Sequence, residues 1–258
     1  MNPTRAPWAE ANAATSRSPS NAPSTLQTRQ SIHTGKPIKP LIDAEPELPT
    51  VRPEAWPESW SPAQKRIKAQ HDVEAALRGS SLRKFIAFTL SLNQSVVGVK
   101  LSHPCSMSPA VEAVMAGLNR LAAFIDDAPP VKHEVRYGNP AFRTWFQKLQ
   151  EAAPELVLDM LGEDASGATI EILPYFLDSF GNRTRIDYGT GHETNFMMFL
   201  YCLFALGALK EDDQQATVLR VFKRYLDLIR QLQTTYWYGF TILSTKSDIF
   251  GLLLQIRG

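Results

Sequence analysis

From residue 61 onward the apolar positions of this chain recur at intervals of three and four, the period of one face of an α-helix. Leu82, Phe85, Ile86, Phe88 and Leu92 form one such stripe, and Ser81 is placed to cap it. Val111, Val114, Met115, Leu118, Leu121, Ala122 and Ile125 form the next. Ser108-Pro109 ahead of them is an N-cap followed by proline at the first helical position, and the acids and prolines of residues 126–130 end the helix. Ser61-Pro62 repeats the cap-and-proline device and predicts a polar helix over residues 61–77. Another helix begins at Ala141, with Phe142, Trp145, Phe146 and Leu149 on one side. A short helix over residues 168–179, an apolar one over 194–209 and a long amphipathic one over 212–236 complete the series. The last buries Val218, Val221, Phe222, Tyr225, Leu226, Ile229 and Leu232 on one face and carries Arg220, Lys223, Arg224 and Arg230 on the other. No run alternates with period two. The pattern predicts an all-α fold around one multi-helix core.

Residues 1–60 are of another kind. They are rich in Pro, Ser, Ala, Asn and Thr, with apolar residues scattered singly, too few to offset chain entropy. About the first 30 read as disordered. The next 30 or so read as running extended along the domain, because Pro37, Pro40, Pro46, Pro49, Pro53 and Pro57 forbid helix. The expected organisation is a leader over 1–60, a helical domain over 61–237 and an apolar tail over 238–258.

Composition narrows the function. With 27 Lys and Arg against 26 Asp and Glu, the formal net charge of +1 argues against a general attraction to nucleic acid or to an anionic membrane. The longest apolar run, residues 196–209, is shorter than the roughly 18–20 residues that cross a bilayer. No apolar signal segment opens the chain, which is therefore expected to be soluble and intracellular. Cys105 and Cys202 have no Cys-x-x-Cys spacing and read as two free thiols.

Chemistry concentrates in residues 181–193, Gly181-Asn-Arg-Thr-Arg-Ile-Asp-Tyr-Gly-Thr-Gly-His-Glu193, which join two helices. Two arginines, two acids, a histidine and three glycines exceed what a connection needs. Gly189-Thr-Gly191 precedes a helix whose free amides favour an anion, and Arg183 and Arg185 can present forked donors to phosphate oxygens. A nucleotide phosphate and an acidic partner surface both fit. A purely structural turn also fits, with Asp187 paired to an arginine and His192 capping a helix. The stretch is neither a Walker motif nor a dinucleotide fingerprint. His192-Glu193 is not a zinc-protease pair, since position 196 is Phe rather than His, and no metal ligand is assigned. The five histidines and the serines form no readable nucleophile–base arrangement. Asp126-Asp127 and Asp212-Asp213 read as solvated helix ends. In residues 137–140, Tyr-Gly-Asn-Pro, Asn139 can cap the following helix, whose Phe142, Trp145 and Phe146 read as core; Arg143 is the residue that packing does not explain.

Four stretches together resemble the phosphotyrosyl phosphatase activator family, the activators of serine/threonine protein phosphatase 2A. They are Leu90-Ser-Leu-Asn93, Phe124-Ile-Asp-Asp-Ala-Pro-Pro130, Arg136-Tyr-Gly-Asn-Pro-Ala-Phe-Arg-Thr-Trp-Phe146 and Asp178-Ser-Phe-Gly-Asn-Arg-Thr-Arg-Ile-Asp-Tyr-Gly-Thr-Gly-His-Glu193. The resemblance covers about residues 57–237. It implies an all-helical fold of core, linker and lid parts, ATP with magnesium in a deep cleft, and contact with the phosphatase catalytic subunit. It also implies peptidyl-prolyl cis/trans isomerase activity on an X-Pro bond, whose uncatalysed barrier is about 20 kcal/mol. By position, Arg185, Thr190 and Gly191 match the family's nucleotide contacts. Asp187 and Glu193 are acidic candidates for the catalytic role, orienting an arginine or metal-bound water. Cytoplasmic residence, extending to the nucleus, is implied in the same way.

After Trp237 the resemblance ends. The family continues into a Gly-Val-Trp-Gly-Leu-Asp-Asp motif that carries its magnesium ligands, whereas this chain reads Tyr238-Gly-Phe-Thr-Ile-Leu-Ser-Thr-Lys-Ser-Asp-Ile-Phe-Gly-Leu-Leu-Leu-Gln-Ile-Arg-Gly258. The expectation is a truncated activator domain that lacks the metal side of its site. Helix faces meant for the missing part should lie exposed, at about 1.5–3 kcal/mol for each large apolar side chain. The alternative is a non-catalytic helical module that binds the phosphatase but has lost metal-dependent nucleotide chemistry.

Overall fold

A computed structural model of the chain describes residues 44–132 and 138–237. The expected disorder of the first 30 residues, Arg136 and Tyr137 of the second motif, and the apolar tail 238–258 lie outside the described residues.

The regular elements of the described chain are helices: α1 Gln70–Arg78, α2 Ser80–Ser95, α3 Pro109–Ala123, α4 Ala141–Leu161, α5 Thr169–Asp178, α6 Thr190–Ala205, a single turn α7 Gln214–Ala216, a π-helical segment Thr217–Phe222 and α8 Lys223–Tyr236. Among the described residues the only strand-like pairing is an isolated bridge, Asn182 with Asp187. Helices α3, α4, α5 and α6 pack in chain order, α8 closes on α3 and α4, and α2 lies against α6. The centre is aromatic. Phe88, Phe142, Trp145, Phe176, Phe180, Phe196, Phe199 and Tyr225 are fully buried, and Phe196 stacks on Tyr225 with centroids 3.9 Å apart. The Trp145 indole N–H, which would otherwise be stranded, donates to the Leu121 carbonyl at 2.9 Å.

Caps explain most of the boundaries. Ser108 Oγ accepts from the Val111 amide at 3.3 Å and Pro109 opens α3, as the sequence predicts. Asn139 Oδ1 accepts from the Ala141 amide at 3.1 Å and so caps α4. Several expectations fail for identifiable reasons. The polar helix does not begin at Ser61, because the Asp72 carboxylate takes the amides of Lys68 and Ala69, at 3.0 and 2.9 Å, and sets the start at Gln70. Ser81 is not a cap, since Gly79 turns α1 directly into α2. α6 starts four residues before the expected Thr194. Gly189 lies fully extended at its N-cap, with the His192 amide donating to the Gly189 carbonyl at 2.9 Å. The final helix is not uniform but passes through the π segment, where the i→i+5 pattern widens the turn.

The segment ahead of α1 is held against the helices. The Glu47 amide donates to the Ala87 carbonyl at 3.2 Å and the Val51 amide to the Ala205 carbonyl at 2.8 Å. Leu48, Trp56 and Trp60 pack on the core, with Trp60 against Gly167. Broad exposed helix faces, expected from the departure after Trp237, are not present among the described residues. The stripes of α6 and α8 are buried, and the exposed large apolar residues, such as Val97, Leu101, Leu158 and Ile170, are scattered.

Candidate functional site

The loop between α5 and α6 is built on its own backbone. Gly181 has φ +107°, a left-handed value that suits glycine, and a Cβ there would come within 3.0 Å of the Asp187 carbonyl. Asn182 Oδ1 accepts from the Thr184 and Arg185 amides at 3.0 and 2.9 Å, folding the tip into an Asx turn. The Asn182 amide donates to the Asp187 carbonyl at 3.0 Å. Ile186 takes the rare left-handed conformation for a β-branched residue, φ +52°, and is held by burial and by the Trp237 indole donating to its carbonyl.

The second motif packs against this loop. A Cβ on Gly138 would stand 2.5 Å from Ile186 Cγ2, so only glycine allows so close an approach. Arg143, the residue that packing left unexplained, donates to the Thr184 carbonyl at 3.4 Å. Arg183 reaches Gln150 of α4 at 3.3 Å rather than the cleft.

A cleft of about 380 Å³ opens beside the loop, lined by Lys65, Asp178, Asn182, Arg185, Asp187, Tyr188, Gly189, Gly191, His192 and Asn195. Arg185 Nε donates to Asp187 Oδ2 at 2.7 Å, which raises the guanidinium's already high pKa, while Asp187 Oδ1 is buried without a hydrogen-bond partner. A Cβ added at Gly189 or Gly191 would meet nothing within 4 Å, so both glycines border open space. Lys65 faces Asp178 at 3.8 Å from the chain ahead of α1. His192 Nδ1 bonds the Asp178 carbonyl, and its ring stacks on Tyr188 with centroids 5.4 Å apart.

Below the cleft the groups turn inward. Tyr188 and Tyr225 hydroxyls meet at 2.8 Å, and Tyr225 donates to the Ser179 carbonyl at 2.8 Å. Burial pushes both hydroxyls far above the ordinary tyrosine value, with Glu193 nearby adding to the effect.

The sequence-derived candidates therefore separate. Arg185, Asp187 and Gly191 share the cleft. Thr190 is the exposed first residue of α6, and Glu193 is buried in the first turn, near enough to Tyr188 to help raise that hydroxyl's pKa. Asp187 pairs with Arg185, and the cleft beside the pair is open. Lys65, Tyr188 and Asn195 carried no signal of their own: Lys65 reaches the cleft only because its segment is not helical.

Residues 63–241 match the family model described as phosphotyrosyl phosphate activator (PTPA) protein. The chain is 36% identical over 172 residues to a probable serine/threonine-protein phosphatase 2A activator 1 of Dictyostelium discoideum, covering 67% of this chain and 53% of that protein. It is 34% identical over 172 residues to the serine/threonine-protein phosphatase 2A activator of Drosophila melanogaster, covering 67% and 43%. The chain thus spans about half, or less, of these relatives' length. Its fold is similar to the crystal structure of the PP2A phosphatase activator Ypa1, with a TM-score of 0.64 and 29% identity, over 70% of this chain and 59% of that one. With two motifs that pack on each other, a helical fold in common with a solved activator and a family match over most of its described length, this chain belongs to the phosphotyrosyl phosphate activator (PTPA) family.

Proposed function

We propose that this chain activates serine/threonine protein phosphatase 2A by engaging its catalytic subunit, with the phosphates of ATP seated in the cleft between the loop and the start of α6. The observation that carries the reading is the open space at Gly189 and Gly191, beside Arg185 and at the N-terminus of a 16-residue helix. Exposed amides and the helix dipole favour phosphate oxygens there, and the open space at the two glycines leaves room for them. Arg185 and Lys65 would supply charge, the Thr190 hydroxyl a further hydrogen bond, and Asp187 would hold Arg185 in place. Bound ATP would bring magnesium charge to the contact with the phosphatase. Magnesium commonly sits on nucleotide phosphates with few protein ligands, and among the described residues no cluster of three ligating side chains occurs. Prolyl isomerisation is the finer part of the proposal and rests on family membership; a protease-coupled peptide assay measures it directly.

Calorimetry tests the nucleotide reading. ATP is expected to bind with magnesium present and to lose at least about tenfold in affinity in Arg185→Ala, the scale of one charge-assisted hydrogen bond. Absence of heat in a sample that melts cooperatively would overturn it and leave a partner-binding module.

A further inference from the structure

His192 is fixed by a contact that leaves one of its ring nitrogens unused. Nδ1 lies against the backbone carbonyl oxygen of Asp178, the last residue of α5. A carbonyl oxygen only accepts, so Nδ1 must carry the hydrogen. A neutral imidazole has a single N–H, and its other nitrogen is then an acceptor. Nε2 is therefore bare in the neutral ring, and among the described residues no group donates to it. The Tyr188 ring stacks on the imidazole, with planes 24° from parallel, and holds its orientation. His192 lines the cleft together with Asp178 and Gly191. Bonding the end of α5 accounts for Nδ1 and leaves Nε2 without a structural task.

We propose that His192 is a specificity-determining residue of the cleft, whose Nε2 accepts a hydrogen bond from the nucleoside part of the ligand, either a ribose hydroxyl or the adenine amino group. The proposal rests on the nucleotide reading. Most polar groups around the cleft suit phosphates instead. Arg185, Lys65 and the amides at the start of α6 are donors. Asn182 Oδ1 is taken by the Thr184 and Arg185 amides, and the Tyr188 hydroxyl turns inward to Tyr225. The Asp187 and Asp178 carboxylates face Arg185 and Lys65. A nucleoside differs from a phosphate in bringing donors of its own, and these need an acceptor. Close to phosphates that acceptor is best uncharged, because a carboxylate would repel them. The bare nitrogen of a neutral imidazole meets both conditions, one residue from Gly191. Asn195 lies one turn on along the same face of α6, but its amide offers a donor and an acceptor and can turn either way. The His192 ring is locked by Asp178, so a ligand that lacks the donor leaves Nε2 unpaired.

Two measurements on the full chain test this. The first is nitrogen NMR of the imidazoles with no nucleotide present, at about pH 8, above the ordinary histidine value of about 6.5. One ring, missing from His192→Asn, is expected to carry its hydrogen on Nδ1. A hydrogen on Nε2 would overturn the proposal whatever the cleft binds.

The second is calorimetry with magnesium, comparing ATP with inorganic triphosphate, 2′-deoxy-ATP, 3′-deoxy-ATP and purine riboside triphosphate, which lacks the amino group. One of the nucleotide analogues is expected to bind the unmutated chain about 3- to 10-fold more weakly than ATP, the scale of one neutral hydrogen bond. In His192→Asn, whose amide can still donate to the Asp178 carbonyl, that analogue and ATP are expected to bind alike, with triphosphate affinity unchanged. Equal affinity of the unmutated chain for ATP and every analogue would overturn the proposal, and needs no variant to fold. Discrimination that survives in a folded His192→Asn would also overturn it. In both cases triphosphate binding would leave the nucleotide reading standing, whereas binding of neither ATP nor triphosphate would overturn the two together.

Discussion

Gly138 is where the two family motifs approach each other closely, and its missing side chain is what lets them. A methyl there would stand 2.5 Å from Ile186 Cγ2 and 3.1 Å from both the Ile186 carbonyl oxygen and the Trp237 ring. Gly138→Ala is expected to cost about 1–3 kcal/mol in urea unfolding, with an unchanged denaturant slope. Gly189→Ala is expected to behave in the opposite way. Nothing lies within 4 Å of its Cβ position, so stability should change by no more than about 0.5 kcal/mol while ATP affinity falls. A stability loss without an affinity loss would make that glycine a packing residue. The buried tyrosines set an alkaline limit. Burial raises Tyr236 to about 12 and Tyr225 further. Their neutral forms contribute stability that is complete below about pH 10 and lost as pH rises through the folded values. Tyr236→Phe should therefore flatten the decline in melting temperature between about pH 10 and 12, if the Tyr236–Ala128 hydrogen bond can be spared. The glycines and arginines of the loop were legible in the sequence because their chemistry is excessive for a turn. Tyr188 and Glu193 were not separable from them, because which side of a turn faces the core depends on Ile186, a left-handed residue that no propensity announces.

At the scale of elements, periodicity located the helices and misjudged three of their starts. Asp72 displaced the first to Gln70, Gly79 joined the first two, and Gly189 moved α6 forward by four residues. That last shift matters for function, since it puts Thr190 and Gly191 into the first helical turn, where amides are unpaired. Helix α4 runs through Pro154, which is exposed, so the carbonyl left without a donor can reach water. The described part of the proline-rich segment ahead of α1 runs along the helices, as its composition led one to expect. Trp60 lies so close to Gly167 that a Cβ there would meet its ring at 2.8 Å, and Trp56 sits edge-on to Trp60 with centroids 6.0 Å apart. Trp60→Ala is expected to destabilise by about 1–3 kcal/mol because the ring is only partly buried. A change within about 0.5 kcal/mol in urea unfolding would mean that this segment merely lies on the surface.

For the molecule as a whole, the cleft takes residues from the chain ahead of α1, the end of α5, the loop and the first turns of α6. Such a site is assembled only when the core is, so ligand binding and folding are linked. Magnesium and ATP at about a hundred times the dissociation constant should add about 2.7 kcal/mol to unfolding stability, seen as a raised melting temperature, and a tenfold loss of affinity in Arg185→Ala should cut the gain to about 1.4 kcal/mol. A family match over residues 63–241 shows that the described helices carry the family's pattern, on a chain about half the length, or less, of the relatives it matches.

By itself the sequence determined the all-α class, the stripes that became the core and the loop in which the chemistry is concentrated, because hydrophobic period and residue type are local properties. Only the tertiary structure decided which loop residues face the cleft and which face inward. The side chains of Arg185 and Glu193 part company because Trp237 and Tyr225, from the far end of the chain, hold Ile186 and Tyr188 from below. Contacts across such sequence distances are set by how helices pack, and no local pattern encodes them.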